Sequence, residues 1–128
     1  MTAVHEGLIS DAAARVGDVA TLRASRCDDC GRTEFPARTS CPACAGRTVQ
    51  IQLGPAARLQ GFTAVLHSPP GADVDVPYTI AVAAFPENIA VLGLLDRHVS
   101  DSELSVGDSL EVCVVATRTK FTYGFRLG

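Results

Sequence analysis

Cys27-Asp28-Asp29-Cys30-Gly31 and, beyond a spacer of ten residues that begins with Gly31, Cys41-Pro42-Ala43-Cys44 decide how this chain is read. Each Cys-x-x-Cys pair can wrap a tight turn around one side of a metal ion. Together they supply four thiolates, the tetrahedral set that Zn²⁺ takes in structural positions. Gly31 follows the second cysteine, where a left-handed backbone lets amides point at sulfur. Pro42 fixes its own φ and stiffens the second turn. Four thiolates on one Zn²⁺ leave a net charge of about −2, which Arg26, Arg32, Arg38 and Arg47 lie close enough in sequence to offset. The expectation is one structural Zn²⁺ on Cys27, Cys30, Cys41 and Cys44, a closed shell with no open position for water or substrate. Two disulfides in an exported protein are the competing reading. The start Met1-Thr2-Ala3-Val4-His5-Glu6 carries neither a basic nor a hydrophobic signal region, so a cytoplasmic chain with reduced thiols is expected.

Working outward from the cysteines, Val19 to Arg26 reads as a strand that leads into the first turn. Glu34-Phe35-Pro36 is a short extended piece, with Phe35 expected to cover the metal. Thr48-Val49-Gln50-Ile51-Gln52-Leu53 alternates as a strand, and Gly54-Pro55 ends it. Residues 19–54 therefore read as a three-stranded zinc ribbon. Upstream, Ser10 can cap a short helix, with Asp11 in its first turn, Ala12-Ala13-Ala14-Arg15 as helix formers and Gly17 as a stop. Residues 1–18 are expected to be an N-terminal segment holding that helix.

Downstream, every segment reads as β. Strands are expected over Arg58 to Leu66, with Gly61 as a bulge, and over Tyr78 to Phe85. Two more follow the tight turn Pro86-Glu87-Asn88 and the Val106-Gly107-Asp108 turn: Ile89 to Leu95 and Ser109 to Thr117. The last runs from Phe121 to Leu127. Ser100 to Leu104 can form one helical turn within the long third connection. Five strands with that long connection between the third and fourth match an OB-fold barrel over residues 55–128. The fold class is thus mainly β. In the last strand Phe121, Tyr123, Phe125 and Leu127 share a face and read as barrel core. The hairpin Tyr78 to Leu95 is different, because both of its faces are apolar or uncharged. A small barrel buries only its inner face, so the outer one must be covered by the N-terminal segment or the ribbon, or receive a partner. The outer set is expected to include Phe85, Leu92 and Leu94.

The chemistry is sparse. The formal net charge of −3 across 128 residues argues against general nucleic-acid binding, which needs a basic surface. No apolar run reaches membrane-spanning length. Cys113 stands in an apolar strand and reads as a small core residue. His5, His67 and His98 lie at a chain end or at strand ends, and Asp73 and Asp75 lie in a loop. No nucleophile-and-base set emerges, so catalytic residues are expected to be absent.

With ribbon and barrel in this order, the chain resembles domain-of-unknown-function family 35, zinc-ribbon plus OB-fold proteins often encoded beside thiolases. The resemblance rests on Arg26-Cys27-x-x-Cys30-Gly31, Phe35-Pro36-x-Arg38, Cys41-Pro42-x-Cys44, Gly61-Phe62-Thr63, Pro77-Tyr78-Thr79-Ile80-Ala81 and the Val106-Gly107-Asp108 turn. It implies a non-catalytic accessory subunit of a thiolase-fold partner (a thiolase, acyltransferase or retro-aldolase) acting on an acyl-CoA. The small subunits of benzoylsuccinyl-CoA thiolases are similar in layout. It further implies a hetero-oligomer that helps hold the CoA thioester; from charge and hydropathy, neither nucleic acid nor membrane is expected as a partner. A single-stranded nucleic-acid-binding ribbon/OB module is the alternative, and an electron carrier resembling rubredoxin is a more distant one.

Overall fold

The protein is seen here as a computed structural model that describes residues 2–3, 7–11, 13–67 and 69–128. His5 and Ala12 lie outside the described residues. After strand β1 (Thr2–Ala3) come β2 (Leu22–Cys27), β3 (Thr33–Glu34) and β4 (Thr48–Leu53). These last three form an antiparallel sheet in the order β3-β2-β4. The β2–β4 ladder runs from Leu22 opposite Leu53 to Cys27 opposite Thr48. Side chains alternate across such a sheet. Leu22, Ala24 and Leu53 on one face are fully buried and belong to the same core as the barrel. On the other face the buried Ser25 hydroxyl accepts the Arg38 amide at 3.0 Å.

Strands β5 (Ala56–Val65), β6 (Tyr78–Phe85), β7 (Ile89–Leu95), β8 (Ser109–Ala116) and β9 (Lys120–Leu127) follow. They pair in the ring β5-β6-β7-β9-β8, which closes back on β5, and β1 adds to β9 outside it. Only the β7–β9 pairing within the ring is parallel. This is the OB-type five-stranded barrel expected from the strand spacing. The irregularity expected at Gly61 falls between Leu59 and Gly61. It lets one long strand serve two neighbours: Ala56 to Arg58 pair with β8, and Arg58 to Val65 with β6. A short 3-10 turn, Asp101–Glu103, occupies the long connection. The Glu103 carboxylate accepts the Ser100 amide at 3.3 Å.

The short N-terminal helix is not there: the described residues between Ser10 and Gly17 form turns, with a single bond from the Ala13 amide to the Ser10 carbonyl at 3.2 Å. The Asp18 carboxylate takes the Ala14 and Arg15 amides, each at 2.9 Å, and those bonds hold its pKa below the usual range. The next residues then pair with β8. The Gly17 amide bonds the Val114 carbonyl, the Val114 amide bonds the Asp18 carbonyl and the Ala20 amide bonds the Val112 carbonyl, at 2.9 to 3.0 Å. A helix this short is marginal by itself. The stretch of β8 beyond its pairing with β5 offers backbone groups that need partners, and the segment supplies them.

The core is tight where strands converge. A Cβ on Gly93 would lie 2.7 Å from the Phe125 ring and 3.0 Å from that of Tyr123. Phe125 is fully buried, as its place in the aromatic stripe implied. At the far rim the loop before β6 is clasped to the β8–β9 turn. Asp73 accepts the hydroxyls of Thr117 and Thr119, and Arg118 pairs with Asp75.

Candidate metal centre and contact face

Strand β2 delivers Cys27, and the chain then turns so that the Gly31 amide bonds the Cys27 carbonyl at 3.0 Å. The second knuckle repeats the device: the Ala45 amide bonds the Cys41 carbonyl at 2.8 Å. Gly31 has φ +78 as its place required, while the second knuckle puts a non-glycine, Ala45, at φ +59. The amides of Asp29 and Cys30 point at Cys27 Sγ from 3.4 and 3.5 Å. The two knuckles bring all four sulfurs within 4.8 Å of one another. Cys27 and Cys44 are 3.4 Å apart and Cys30 and Cys41 3.6 Å. A tetrahedron of Zn–S bonds requires sulfurs about 3.8 Å apart, so the donor set fits one such ion.

The electrostatics agree with that fit. The amides of Ala43 and Cys44 hold the Cys41 thiol down to about 7. At Cys44 the Gly46 amide acts in the same direction, but the neighbouring Cys27 and Cys30 sulfurs outweigh it and push the thiol up to about 12. Four thiolates cannot all ionise side by side without a cation to absorb their repulsion. Cys27 and Cys41 are buried, and Cys30 and Cys44 are exposed. Gly46 has a role that the motif did not reveal. A Cβ there would sit 2.5 Å from the Asp29 carboxylate and 3.0 Å from Cys27 Sγ. A side chain there would have to displace the Asp29 carboxylate and press on the Cys27 sulfur. Of the nearby arginines, Arg32 pairs with Glu34.

Phe35, expected over the metal, instead sets its ring edge-on to Tyr123 of β9, with centroids 5.3 Å apart. It ties the ribbon to the barrel. Tyr123 in turn donates its hydroxyl to the Leu92 carbonyl at 2.7 Å. The sequence offered no signal for this pairing beyond two aromatics far apart in the chain.

On the hairpin, β6 alternates strictly: Thr79, Ala81, Ala83 and Phe85 are buried, while Ile80, Val82 and Ala84 are half-buried. Phe85 is therefore an inner residue, correcting its placement on the outer face, because the pleat puts it in phase with Ala81 and Ala83. The outer face consists of Ile80 opposite Leu94, Val82 opposite Leu92 and Ala84 opposite Ala90. Leu92 is 59% exposed.

The remaining candidates sit apart. Burial pushes the Cys113 thiol up to about 11, and its side chain is inaccessible. His98 lies at the barrel rim with Nδ1 3.0 Å from the hydroxyl of buried Thr79, and His67 is exposed after β5. No helix of the described residues is long and apolar enough to cross a membrane.

Comparison with known proteins places these features together. Residues 18–50 match the family model of the ChsH2 rubredoxin-like zinc ribbon domain, and residues 50–115 match that of the ChsH2 C-terminal OB-fold domain. Among solved structures, a chain of the "Ltp2-ChsH2(DUF35) aldolase" superposes with a TM-score of 0.67 at 17% identity, covering 84% of each chain. A protein of unknown function from the DUF35 family of Sulfolobus solfataricus gives a TM-score of 0.53 at 19% identity, over 84% of this chain and 76% of that one. With both of its family models matched in order, from one end of the ribbon to the eighth strand, this chain belongs to the ChsH2 family of DUF35 zinc-ribbon and OB-fold proteins.

Proposed function

We propose that this chain is a non-catalytic accessory subunit of a thiolase-fold enzyme that acts on an acyl-CoA. The observation that carries the reading is the outer face of the β6–β7 hairpin. Ile80, Val82, Leu92 and Leu94 form an uncharged surface on a barrel that already has a complete core. Among its described residues the N-terminal segment, one of the two covers open to it, pairs with β9, β2 and β8 and not with the hairpin. An apolar face of this kind marks a protein contact. The partner's class comes from the family resemblance and from the structural neighbour, a chain of the "Ltp2-ChsH2(DUF35) aldolase". The acyl-CoA is the substrate of the complex, and the chemistry belongs to the partner.

Cys27, Cys30, Cys41 and Cys44 hold a structural Zn²⁺ in this reading. The ion supplies cross-linking of the two knuckles, and all four of its positions are filled by sulfur. The chain's own residues then assemble and orient the partner; none of them attacks or deprotonates substrate.

Reconstitution tests this. The thiolase-fold neighbour alone, this chain alone, and both together are assayed with acyl-CoA. Turnover is expected only with both. Turnover by this chain alone overturns the accessory role, and full activity of the partner alone removes the need for it. Leu92→Asp places a charge on the contact face and is expected to abolish co-purification while the chain stays folded.

A further inference from the structure

A cleft of about 480 Å³ separates the ribbon from the tip of the β6–β7 hairpin. Arg32, Glu34 and Phe35 stand on its ribbon wall, and Glu87, Ile89 and Ala90 on its hairpin wall. Phe35 fixes the first wall through its edge-on contact with Tyr123. The turn fixes the second: Asn88 takes φ +63, and its amide bonds the Phe85 carbonyl at 3.1 Å. Asparagine tolerates that left-handed backbone better than most residues.

Two carboxylates and one guanidinium stand around this cleft. Glu34 is paired with Arg32, and Glu87 has no counterpart. Its Oε1 is buried and accepts no hydrogen bond, the only such side-chain atom among the described residues. A buried acceptor without a donor costs free energy, and a charged one costs more. The turn does not need a carboxylate there, because a backbone bond closes it.

We propose that the cleft receives a basic side chain, an arginine, of the enzyme partner. Charge complementarity names the occupant. One guanidinium against two carboxylates leaves a negative charge uncompensated, and a second guanidinium gives Glu87 the donor it lacks. The planar fork of arginine suits a carboxylate, and its weak hydration eases entry between two walls. A metal ion is a poorer fit, since the four cysteines are the only group of three or more metal-ligating side chains among the described residues. Position names the source. Ala90 lines the cleft and also ends the outer row of the hairpin, opposite Ala84. A protein seated on Leu92 therefore reaches the cleft along one surface. The inference rests on the contact face assigned to the enzyme and adds its orientation, because a charge pair at the rim of an apolar contact fixes register.

The test is the affinity of the full-length, metal-loaded chain for its thiolase-fold neighbour at low and high salt. Wild type, Glu87→Gln and Leu92→Asp are compared, and the unfolding midpoint of each free chain is measured. Glu87→Gln keeps the shape of the side chain and removes its charge. It is expected to weaken binding about 10- to 100-fold and to flatten the salt dependence. The free variant is expected to unfold at the same temperature as wild type or higher, because an unpaired buried charge has gone. A merely structural role would lower that midpoint instead. Equal affinity of wild type and Glu87→Gln means that water satisfies the carboxylate, and it overturns the cleft assignment while the contact face stands. So does a loss of binding that follows a lowered midpoint. A wild type that binds no neighbour, or a Leu92→Asp chain that still binds it, removes the contact face and the cleft assignment together.

Discussion

Strand β2 of the ribbon and strand β8 of the barrel are both central strands, and they are held in place by different physics. In β8, Leu110, Val112, Cys113, Val114 and Val115 are all buried, on both faces, and β9, β5 and the N-terminal segment bond its edges. In β2, Leu22 and Ala24 are buried against the barrel, but towards Cys27 the apolar support runs out. Val49, across from Arg26, is already 44% exposed. A sheet this small cannot bury enough surface to hold its outer end. Four sulfurs take over where the core stops, which explains why the knuckles sit at the tip of the ribbon.

The sharpest way to break the comparison is to remove the metal. Cys27→Ser, or a strong chelator, is expected to release the outer ribbon, since structural zinc contributes on the order of 10 kcal/mol to such modules. Hydrogen exchange should show lost protection from Cys27 to Val49 while the amides of β8 and β9 stay protected. Persistent protection at the knuckles without metal would mean that the packing there is sufficient after all. The reciprocal test is Phe125→Ala, which empties the centre of the barrel. It should lower unfolding stability by about 3–5 kcal/mol, with zinc content unchanged at the stability limit. A loss of zinc in the still-folded variant would show that the two regions are not held separately.

The smallest effect concerns the link between them. Phe35→Ala, Tyr123→Ala and the double variant form a cycle in which the edge-on ring contact is expected to couple by about 0.5–1.5 kcal/mol. Strict additivity would mean that the ribbon rests on the barrel without help from Phe35.

Legibility followed the same division. Cysteine spacing is a local code, and the clustering of the four sulfurs could be read from it directly. Strand alternation and turn residues are nearly as local, so β6 and β7 run where the pattern put them. What escaped depended on distance. Ser10 to Gly17 has the letters of a helix, yet its two ends are bonded elsewhere, Ser10 to Thr21 and Gly17 to Val114 of β8. Phe85 has the same neighbours on either face of the pattern, and only closure of the barrel decides that it points inward. Phe35 meets Tyr123 because the ribbon folds back, and Gly46 leaves room for the Asp29 carboxylate and the Cys27 sulfur. None of these contacts leaves a periodic trace.

The shared burial of Leu22, Ala24 and Leu53 with the barrel core has a practical consequence for anyone recombining these modules. Gly54-Pro55 separates two sheets and invites a cut. Gly54 nevertheless lies under β8 and β6: a Cβ there would be 3.0 Å from the Val112 side chain and 3.4 Å from the Phe85 ring. A chimera joined at this point would set a foreign ribbon's apolar side on a surface shaped for Leu22 and Leu53. Ribbons in this family should therefore transplant only when the lining residues Phe85 and Val112 travel with them, and a graft that ignores them should yield insoluble protein even with its zinc in place.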